Sequence, residues 1–238
     1  FWPSTLSPPL GKSDLGALGP AGWDALWNSL IMAALVAALG TIVVFSGAYL
    51  VEKTKTWPWV RSALHFGAMI PLAVPGLVLG LAYIFFFNAP GNPLNFIYGT
   101  MAILVVNTVG HFYTVCHLTA VTALKQVDSE FEAVSASLKV PFYKTFWRVT
   151  VPVCLPAILD IAAYYFINAM TTVSAVIFLY SSDTKLLSIA AVNTDDAGNT
   201  AVACAMGTMI VMVSATARVV QLIAARTLHA RTQAWRNR

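Results

Sequence analysis

Charged residues are scarce in this chain of 238 residues, because only 10% are charged and 58% are hydrophobic. A globular protein carries about 25% charged residues, which cover the surface that faces water. The scarcity therefore excludes an ordinary soluble domain and indicates an outer surface that faces lipid. The formal net charge of +4 comes from few, scattered cations. An excess of basic residues on one side of a membrane explains these cations better than binding to nucleic acid does.

Cysteine is also scarce, and no CxxC pair occurs. The three cysteines lie in apolar runs at unrelated spacings and predict neither a disulfide framework nor a metal motif. His111 and His117 are six residues apart, so on a helix they point about 120° away from each other. No acidic or cysteine ligand accompanies them or His65. We therefore predict structural histidines, with no metal site and no cofactor.

Long uncharged runs are what the chain has in abundance. A bilayer core about 30 Å thick requires about 20 apolar residues per helix. The runs predict an all-α integral membrane protein, a bundle of about five transmembrane helices. The predicted spans lie near residues 28–51, 66–87, 95–123, 152–180 and 197–218 of a transmembrane domain 28–226, between an extracytoplasmic arm 1–27 and a tail 227–238.

Proline and glycine shape the second span. Pro71 and Pro75 are four residues apart and predict a kink. Gly76 and Gly80 form a GxxxG pattern, which permits close packing against a neighbour. The turn between the second and third spans is predicted at Asn88-Ala-Pro-Gly-Asn-Pro93.

The basic residues predict the orientation of the chain in the membrane. Most of the 14 follow the first, third and fifth spans, and only Lys12 and Lys185 lie on the other side. By the positive-inside rule, the N-terminus is outside and the C-terminus is cytoplasmic. The arginine-rich tail predicts an amphipathic helix at the inner leaflet. The prediction is therefore a multi-pass membrane protein.

Polar side chains at membrane depth form two stripes. Asp160, Tyr164, Asn168 and Thr171 share a face of the fourth span, and Asn107, His111 and Thr114 share a face of the third. They could line a translocation pathway. Alternatively, they lock the bundle through hydrogen bonds, each worth about 0.6 kcal/mol on average. We assign the pathway role to Asn107, His111, Asp160 and Asn168. The position of Asp160 near the inner surface also predicts a basic partner.

The polar segment 125–150 between the third and fourth spans predicts a structured loop. Ser129 and Glu132 fit a capping box, which predicts a helix start. Phe131, Val134 and Leu138 recur at helical spacing and give this helix an apolar side that could dock on a partner. Pro141 then ends or kinks the helix, and a second short helix is predicted before the fourth span. Two short helices joined at a bend make a rigid protrusion.

This loop resembles the coupling loop in permease subunits of binding-protein-dependent ABC importers of the MetI-like fold. Glu132-Ala133-Val134 opens the pattern, and Val149-Thr150-Val151-Pro152 closes it. The family has a glycine between them, which is missing here. Counting back from Pro152 places Lys139 at that glycine, whereas counting forward from Glu132 places Leu138 there. The loop is thus one residue longer than the family pattern.

The resemblance covers nearly the whole chain. Trp27-Asn-Ser-Leu30, Pro71-Leu-Ala-Val-Pro-Gly76 and Asp195-Asp-Ala-Gly198 resemble the fused permeases of iron(III) and 2-aminoethylphosphonate importers. Segments 132–144 and 168–176 are most similar to the 2-aminoethylphosphonate branch. Because each half of a fused permease has six spans, five spans and an N-terminal Phe1 suggest the second half of a longer polypeptide.

The resemblance implies a transport subunit that performs no chemistry. Its implied partners are two ATPase subunits, a second permease half and an extracytoplasmic solute-binding protein that delivers a small polar solute. A separate ATPase is consistent with the lack of a Gly-x-x-x-x-Gly-Lys-Ser/Thr motif in the chain. The implied ATPase contacts are Glu132, Ala133, Leu138, Lys139 and Phe142.

Two other interpretations remain open from the sequence. Glu132 could be a helix cap without any contact to a partner. The chain could also be part of a secondary transporter or channel driven by an ion gradient, with Asp160 and His111 as proton carriers. A membrane-embedded hydrolase is disfavoured, because no nucleophile, base and orienting group share a helical face.

Overall fold

The computed structural model describes residues 19–53, 57–89, 91–128 and 130–232. Within these ranges the chain forms helices and turns and no strand, which confirms the predicted all-helical fold. A short 3₁₀ helix, Asn95–Ile97, precedes α4, and α7 contains a π-helical segment, Phe146–Thr150. The helices are α1 (Gly19–Lys53), α2 (Pro58–Ala73), α3 (Gly76–Phe87), α4 (Met101–His111), α5 (Tyr113–Lys125), α6 (Glu130–Ser137), α7 (Phe142–Val153), α8 (Leu155–Thr171), α9 (Leu187–Asp196) and α10 (Thr200–Thr232).

Two of these helices, α1 and α10, are each long and apolar enough to cross a membrane. Three further candidates are bent pairs: α2 with α3 at 109°, α4 with α5 at 57°, and α7 with α8 at 74°. If each pair counts as one span, the described part of the chain has up to 5 spans. The structure is therefore compatible with the predicted number, although three of the predicted spans are broken, one of them where a kink was predicted.

The break between α2 and α3 has a local cause. Val74 is extended (φ −97°, ψ 118°), as a residue before proline prefers, and Pro75 has ψ 141°. The predicted kink is confirmed here, and it is large enough to separate two helices. Prolines also flank the break at Cys154, since Pro152 and Pro156 lack the N–H groups that a continuous helix requires. The break at Phe112 carries no such signal and was not predicted.

Several predicted boundaries are corrected by the structure. The second span begins at Pro58 rather than residue 66, and the third begins at Met101 rather than residue 95. α1 begins at Gly19, inside the predicted arm. α10 continues to Thr232, so the predicted span 197–218 and the first part of the predicted tail are one helix. The predicted arm before Gly19, which includes Lys12, and the predicted tail beyond Thr232 lie outside the described residues.

The fourth predicted span, 152–180, is wrong beyond Thr171, where α8 ends. Residues 172–186 form successive turns, which we name the buried turn segment because Ala175, Val176, Leu179 and Leu186 are buried. The sequence offered no glycine or proline in this segment to predict the end of the helix. The following helix α9 lies in what was predicted as a loop, and its first turn is buried.

Side chains from α1 hold the end of the buried turn segment and the start of α9. The Asn28 amide donates to the backbone carbonyls of Asp183 (2.9 Å) and Lys185 (3.2 Å). The Ser29 hydroxyl accepts from the backbone N–H of Leu187 at 2.8 Å. Irregular backbone inside a membrane is stable only where such groups are bonded by the protein or by water. These bonds explain why an irregular segment is compatible with this position.

The core lies where α8 packs against α1, α5 and α10. Tyr165 of α8 is fully buried, and its hydroxyl donates to the backbone carbonyl of Val109 at 3.2 Å. Its ring lies against Gly40 of α1, where an added Cβ would be 2.9 Å from the Tyr165 Cε2 atom. Gly40 therefore permits the close approach of α1 and α8.

The GxxxG pattern also permits a close approach, but to a turn rather than to a helix. A Cβ added at Gly80 would lie 2.8 Å from the backbone oxygen of Ala175. One added at Gly76 would lie 2.7 Å from Ser174 Oγ and 3.2 Å from His111 Cε1. The two glycines thus allow α3 to pack directly on the buried turn segment.

Candidate functional site

The loop between α5 and α8 contains two helical arms joined by a sharp reversal. α6 ends at Ser137, and the backbone N–H of Val140 donates to the carbonyl of Ser135 at 2.9 Å. This bond, six residues to one, is typical of a Schellman motif. The residue in the left-handed position of the motif is Lys139, with φ 53°. The predicted two-helix protrusion is present, although the capping residue Ser129 lies outside the described residues.

The left-handed conformation of Lys139 falls on one of the two positions considered for the missing glycine. Lys139 is the only residue other than glycine with positive φ in the described part of the chain. Glycine adopts this conformation without penalty, whereas other L-residues pay about 1 to 2 kcal/mol. The conformation that glycine prefers thus occurs at Lys139, the position counted back from Pro152, and not at Leu138.

The loop presents an unusually apolar surface. The most exposed of its large apolar side chains are Leu138 and Phe142, each 69% exposed. Glu132 and Ala133 lie in α6, but their side chains are outside the described residues. Apolar side chains of this size are exposed together mainly where another molecule covers them. The exposed set within residues 125–150 is Phe131, Val134, Leu138, Val140, Phe142, Tyr143 and Trp147.

The other side of the loop is anchored to the bundle. Phe146 packs edge-on against Tyr49 of α1, with ring centroids 4.6 Å apart, and also contacts Phe45 at 6.0 Å. Thr145 and Thr150 of α7 are buried. A force applied to the exposed side of α7 would therefore act on α1 and, through the bend at Cys154, on α8.

A polar cluster joins α8 to α10. The Gln221 amide donates to Asp160 Oδ1 at 2.6 Å, and Arg218 Nη1 donates to Gln221 Oε1 at 2.9 Å. Arg218 Nη1 also lies 3.7 Å from Asp160 Oδ1. The predicted basic partner of Asp160 is thus Arg218. Gln221 was missed, although Arg218 and Gln221 lie three residues apart and so share a helix face.

This cluster borders a cavity of about 400 Å³. Asp160 and Arg218 are half-exposed, with 54% and 51% of their side chains accessible. Asn168 also lines the cavity, and its amide donates to the carbonyl of Tyr164 in the same helix at 2.8 Å. The cavity therefore presents one carboxylate, one guanidinium and one amide to a polar solute. Its other lining residues are Cys116, Thr119, Ile161, Tyr164 and Ile167.

Asn107 and His111 do not line this cavity. Asn107 is fully buried, and its amide donates to the carbonyl of Ala175 at 2.7 Å. His111 is partly buried beside Gly76. The four residues assigned to the pathway thus fall into two groups, with Asp160 and Asn168 at the cavity and Asn107 and His111 beside the buried turn segment.

Two of the three histidines predicted to be structural, His65 and His117, contact each other. His65 Nδ1 lies 3.4 Å from His117 Nε2, and the ring of Tyr113 stacks on His117 with centroids 5.6 Å apart. His111 is separate from this pair and contacts Phe112. The described residues contain no group of three or more His, Cys, Asp or Glu side chains that could hold a metal ion.

Residues 49–230 match the family described as binding-protein-dependent transport system inner membrane component. The ferric transport system permease protein FbpB of Actinobacillus pleuropneumoniae is 33% identical over 196 residues, which cover 82% of this chain. A ferric permease of Haemophilus influenzae, FbpB 1, is 36% identical over 172 residues, or 72% of this chain. The chain spans only 28% and 26% of the lengths of these two relatives.

The match to phosphonate permeases is more distant. The 2-aminoethylphosphonate transport system permease protein PhnV of Salmonella typhimurium is 23% identical over 205 residues, which cover 84% of this chain and 74% of that protein. The identity is therefore lower than with the ferric permeases. The similarity of individual segments to the phosphonate branch does not favour that branch over iron.

Solved structures share the fold. A bacterial ABC transporter that imports the acidic polysaccharide alginate has a chain with a TM-score of 0.79 and 13% identity, covering 93% of this chain and 85% of that one. A bacterial alginate ABC transporter in complex with an alginate pentasaccharide-bound periplasmic protein gives a TM-score of 0.77 and 13% identity, covering 94% of this chain and 84% of that one. The methionine transporter MetNI gives a TM-score of 0.74 and 13% identity, covering 92% of this chain and 99% of that one. At this identity the likeness establishes the fold alone.

Proposed function

Because this chain belongs to the binding-protein-dependent transport system inner membrane component family, we propose that it is a permease half of an ATP-powered importer. It moves a small polar solute inward and performs no chemistry itself. Its orientation is N-terminus out and C-terminus cytoplasmic, in a bacterial inner membrane. The observation that supports this role best is the exposed apolar loop with Lys139 in the left-handed conformation that glycine prefers.

The proposed partners follow from this role. Two ATPase subunits supply the work, a second permease half completes the pathway, and an extracytoplasmic binding protein delivers the solute. The loop contacts the ATPase through Glu132, Ala133, Leu138, Lys139 and Phe142. The exposure of Leu138 and Phe142 supports this assignment, because no other part of the described chain covers them.

The coupling mechanism uses the anchoring of α7. When ATP closes the two ATPase subunits, they displace the exposed side of α7. Phe146 transmits this displacement to α1 through Tyr49 and Phe45, and the bend at Cys154 transmits it to α8. α8 carries Asp160 and Asn168, so the cavity changes shape when the loop moves.

The proposed pathway begins with the cavity residues Asp160 and Asn168. Asp160 and Arg218 provide charges of both signs, which suit a polar or zwitterionic solute. Asn107 and His111 lie beside the buried turn segment and act on the pathway by holding that segment in place. A ferric ion or chelate and 2-aminoethylphosphonate are the two candidate solutes, since relatives carry both names.

Phe142→Ala tests the coupling role in cells that depend on this importer. We expect at least a tenfold loss of uptake with normal protein in the membrane, because Phe142 is exposed and contributes little to folding. In reconstituted complexes ATP hydrolysis should no longer respond to the loaded binding protein. Phe96→Ala is the matched control, since Phe96 is 74% exposed but lies outside the loop.

Normal uptake by the Phe142 variant would contradict the loop assignment. An uncoupler distinguishes the rival mechanism. Uptake driven by an ion gradient collapses when the gradient is removed while ATP persists, whereas ATP-driven uptake continues. Uptake of radiolabelled iron and of radiolabelled 2-aminoethylphosphonate, each measured with and without the gene, then identifies the solute.

A further inference from the structure

A cavity of about 510 Å³ lies where the ends of α1 and α5 meet the start of α2, and we name it the three-helix cavity. Glu52 lines it from the last turn of α1, Arg61 from the first turn of α2, and Lys125 from the end of α5. None of the residues that we propose to contact the ATPase lines this cavity. Its other lining residues are Val51, Pro58, Ser62, His65 and Val121.

The three-helix cavity presents charges of both signs. Arg61 Nη2 donates to Glu52 Oε2 at 2.9 Å, and the side chains are 41% and 16% exposed. A guanidinium has more N–H donors, and a carboxylate more acceptor sites, than one such bond uses. Lys125 adds a second cation to the lining. The cavity can therefore bind a ligand that carries an anionic group and a cationic group close together.

Two tryptophans indicate the depth of this cavity in the membrane. Trp57 and Trp59 are 60% and 73% exposed, and their rings stack with centroids 6.4 Å apart. They lie just before Arg61 in the chain. Exposed indole rings are most stable at the level of lipid headgroups. In the proposed topology, on which this inference rests, the three-helix cavity therefore opens at the headgroups of the inner leaflet.

Exposed apolar side chains lie directly below the cavity. Because a helix rises about 1.5 Å per residue, Leu64 and Phe66 are about 5 to 8 Å deeper than Arg61 along α2. Both are exposed, and Leu118 is exposed two turns before Lys125 on α5. An acyl chain attached to a headgroup in the cavity would cover such side chains, whereas a free polar solute has no part that could. The arrangement favours a lipid over a soluble ligand.

We propose that the three-helix cavity binds the headgroup of phosphatidylethanolamine from the inner leaflet. The phosphate accepts from Lys125 and from the N–H groups of Arg61 that Glu52 does not use, and the ammonium group donates to Glu52. Such hydrogen bonds between charged groups are stronger than neutral ones. The bound headgroup joins the cytoplasmic ends of α1, α2 and α5.

The carboxylate determines which headgroup fits. Phosphatidylcholine carries a trimethylammonium group, which has no N–H to donate to Glu52. Phosphatidylglycerol has a phosphate but no cation, so its phosphate is repelled by the carboxylate without any compensating bond. Phosphatidylethanolamine alone among these three lipids offers both a phosphate and an N–H donor that is positively charged.

The test measures lipid binding by the purified transporter in detergent. Native mass spectrometry and thermal unfolding are followed during titration with dioleoyl-phosphatidylethanolamine, dioleoyl-phosphatidylcholine, dioleoyl-phosphatidylglycerol and soluble phosphoethanolamine. We expect the ethanolamine lipid to bind about tenfold more tightly than the choline lipid, as one hydrogen bond between charged groups requires. Soluble phosphoethanolamine should bind far more weakly than the lipid, because it has no acyl chains.

Two substitutions in the cavity should change the lipid preference in different ways. Lys125→Gln should weaken binding of the ethanolamine and glycerol lipids alike, by about fivefold, since a basic residue near the surface contributes about that much. Glu52→Gln should weaken the ethanolamine lipid by about tenfold but not the glycerol lipid. Glutamine keeps an oxygen that can accept from Arg61. A general loss of stability would not alter the ratio of affinities for two lipids.

Matched controls carry the same changes of charge elsewhere. Arg226→Gln on α10 and Asp196→Asn on α9 alter exposed side chains outside the cavity. Each should leave lipid affinity unchanged within about twofold, because distant exposed charges are screened. Lipid binding does not require transport, and uptake is measured on the same variants. A failure of the lipid proposal is thus distinguishable from a failure of the importer assignment, which the Phe142 variant tests.

Any of three results would overturn the proposal. The first is an unchanged preference for the ethanolamine lipid over the choline lipid in the Glu52 variant. The second is stabilisation by soluble phosphoethanolamine that matches stabilisation by the lipid at equal concentration, which would assign the cavity to a free solute. The third is normal lipid binding by the Lys125 variant with lost association to the ATPase, which would assign the cavity to the ATPase interface.

Discussion

The two ends of α8 differ in how closely the surrounding residues pack against the chain and bond its backbone. At Thr171 the chain enters the buried turn segment, where Asn107, Ser29 and the two glycines of α3 fit its backbone closely. At Leu155 the chain comes from α7 and the loop, where large apolar side chains are exposed. We name these the locked end and the coupling end.

This difference distinguishes residues that stabilise the fold from exposed residues that we propose to contact a partner. A group bonded and buried within the chain contributes to stability, so its loss is measured as unfolding. A group exposed on the coupling end contributes little to stability, so its loss is measured as failed transport. The same helix thus joins an end that is buried and hydrogen-bonded to an end that lies beside exposed apolar side chains.

Gly80→Ala has the largest expected effect, and it tests the locked end. The new Cβ would lie 2.8 Å from the Ala175 backbone oxygen. That oxygen cannot move away easily, because it belongs to a turn that is held by hydrogen bonds. We expect a loss of about 1 to 3 kcal/mol in stability, as for other overpacked sites. Thermal unfolding in detergent measures it. Gly67→Ala is the control, since nothing lies within 4 Å of its added Cβ.

The second prediction compares two asparagines that were assigned the same role. Asn107→Ala removes the donor to the buried Ala175 carbonyl and should destabilise the protein by about 1 kcal/mol. Asn168→Ala removes only a bond within its own helix and should change unfolding by a few tenths of a kcal/mol. Uptake should fall in both. Equal unfolding temperatures for the two variants would contradict the role of Asn107 in holding the buried turn segment.

Lys139→Gly is expected to stabilise the coupling end, whereas the preceding substitutions destabilise the protein. Relief of the left-handed lysine should stabilise the loop by about 1 kcal/mol. Amide exchange in α6 should become slower, while global unfolding changes little because the loop is exposed. Leu138→Gly is the comparison, since Leu138 does not have positive φ and should lose stability. Faster exchange in the Lys139 variant would count against the assigned turn.

Asp160→Asn has the smallest expected effect on stability. The ion pair with Arg218 is half-exposed, and such pairs contribute about 0 to 1 kcal/mol. Asparagine retains an acceptor for the Gln221 amide, which lies 2.6 Å from Asp160 in the native chain. Unfolding should therefore be nearly unchanged, and uptake should fall because the cavity loses its carboxylate. A large drop in unfolding temperature with normal uptake would instead assign Asp160 to the bundle.

The sequence predicted features that depend on local rules. Apolar runs predicted a membrane protein, and Pro71 and Pro75 predicted the kink in the second span. The spacing of Phe131, Val134 and Leu138 predicted a loop helix with an apolar side. Asp160 was correctly expected to have a basic partner, because an isolated carboxylate near lipid is costly. The end of α8 at Thr171 was not predicted, because no proline or glycine lies near it, and the break at Phe112 was not predicted although Gly110 lies two residues before it.

The candidate site was predicted only in part, for a related reason. Two of the four pathway residues, Asp160 and Asn168, share a cavity because they lie on one face of a single helix. Asn107 and His111 share a face with each other, but the buried turn segment lies beside them. The distance between two stripes depends on how α4 and α8 pack, and periodicity contains no information about packing.

By itself, the sequence determined that the chain is a helical membrane protein with a structured loop and a family pattern in that loop. These properties follow from composition and from contacts within a few residues. Only the tertiary structure decided that Lys139 takes the left-handed position, that Gly76 and Gly80 face a turn, and that Asp160 pairs with Arg218. Each of these depends on groups brought together from distant parts of the chain, or on a backbone angle that neighbouring residue types did not specify.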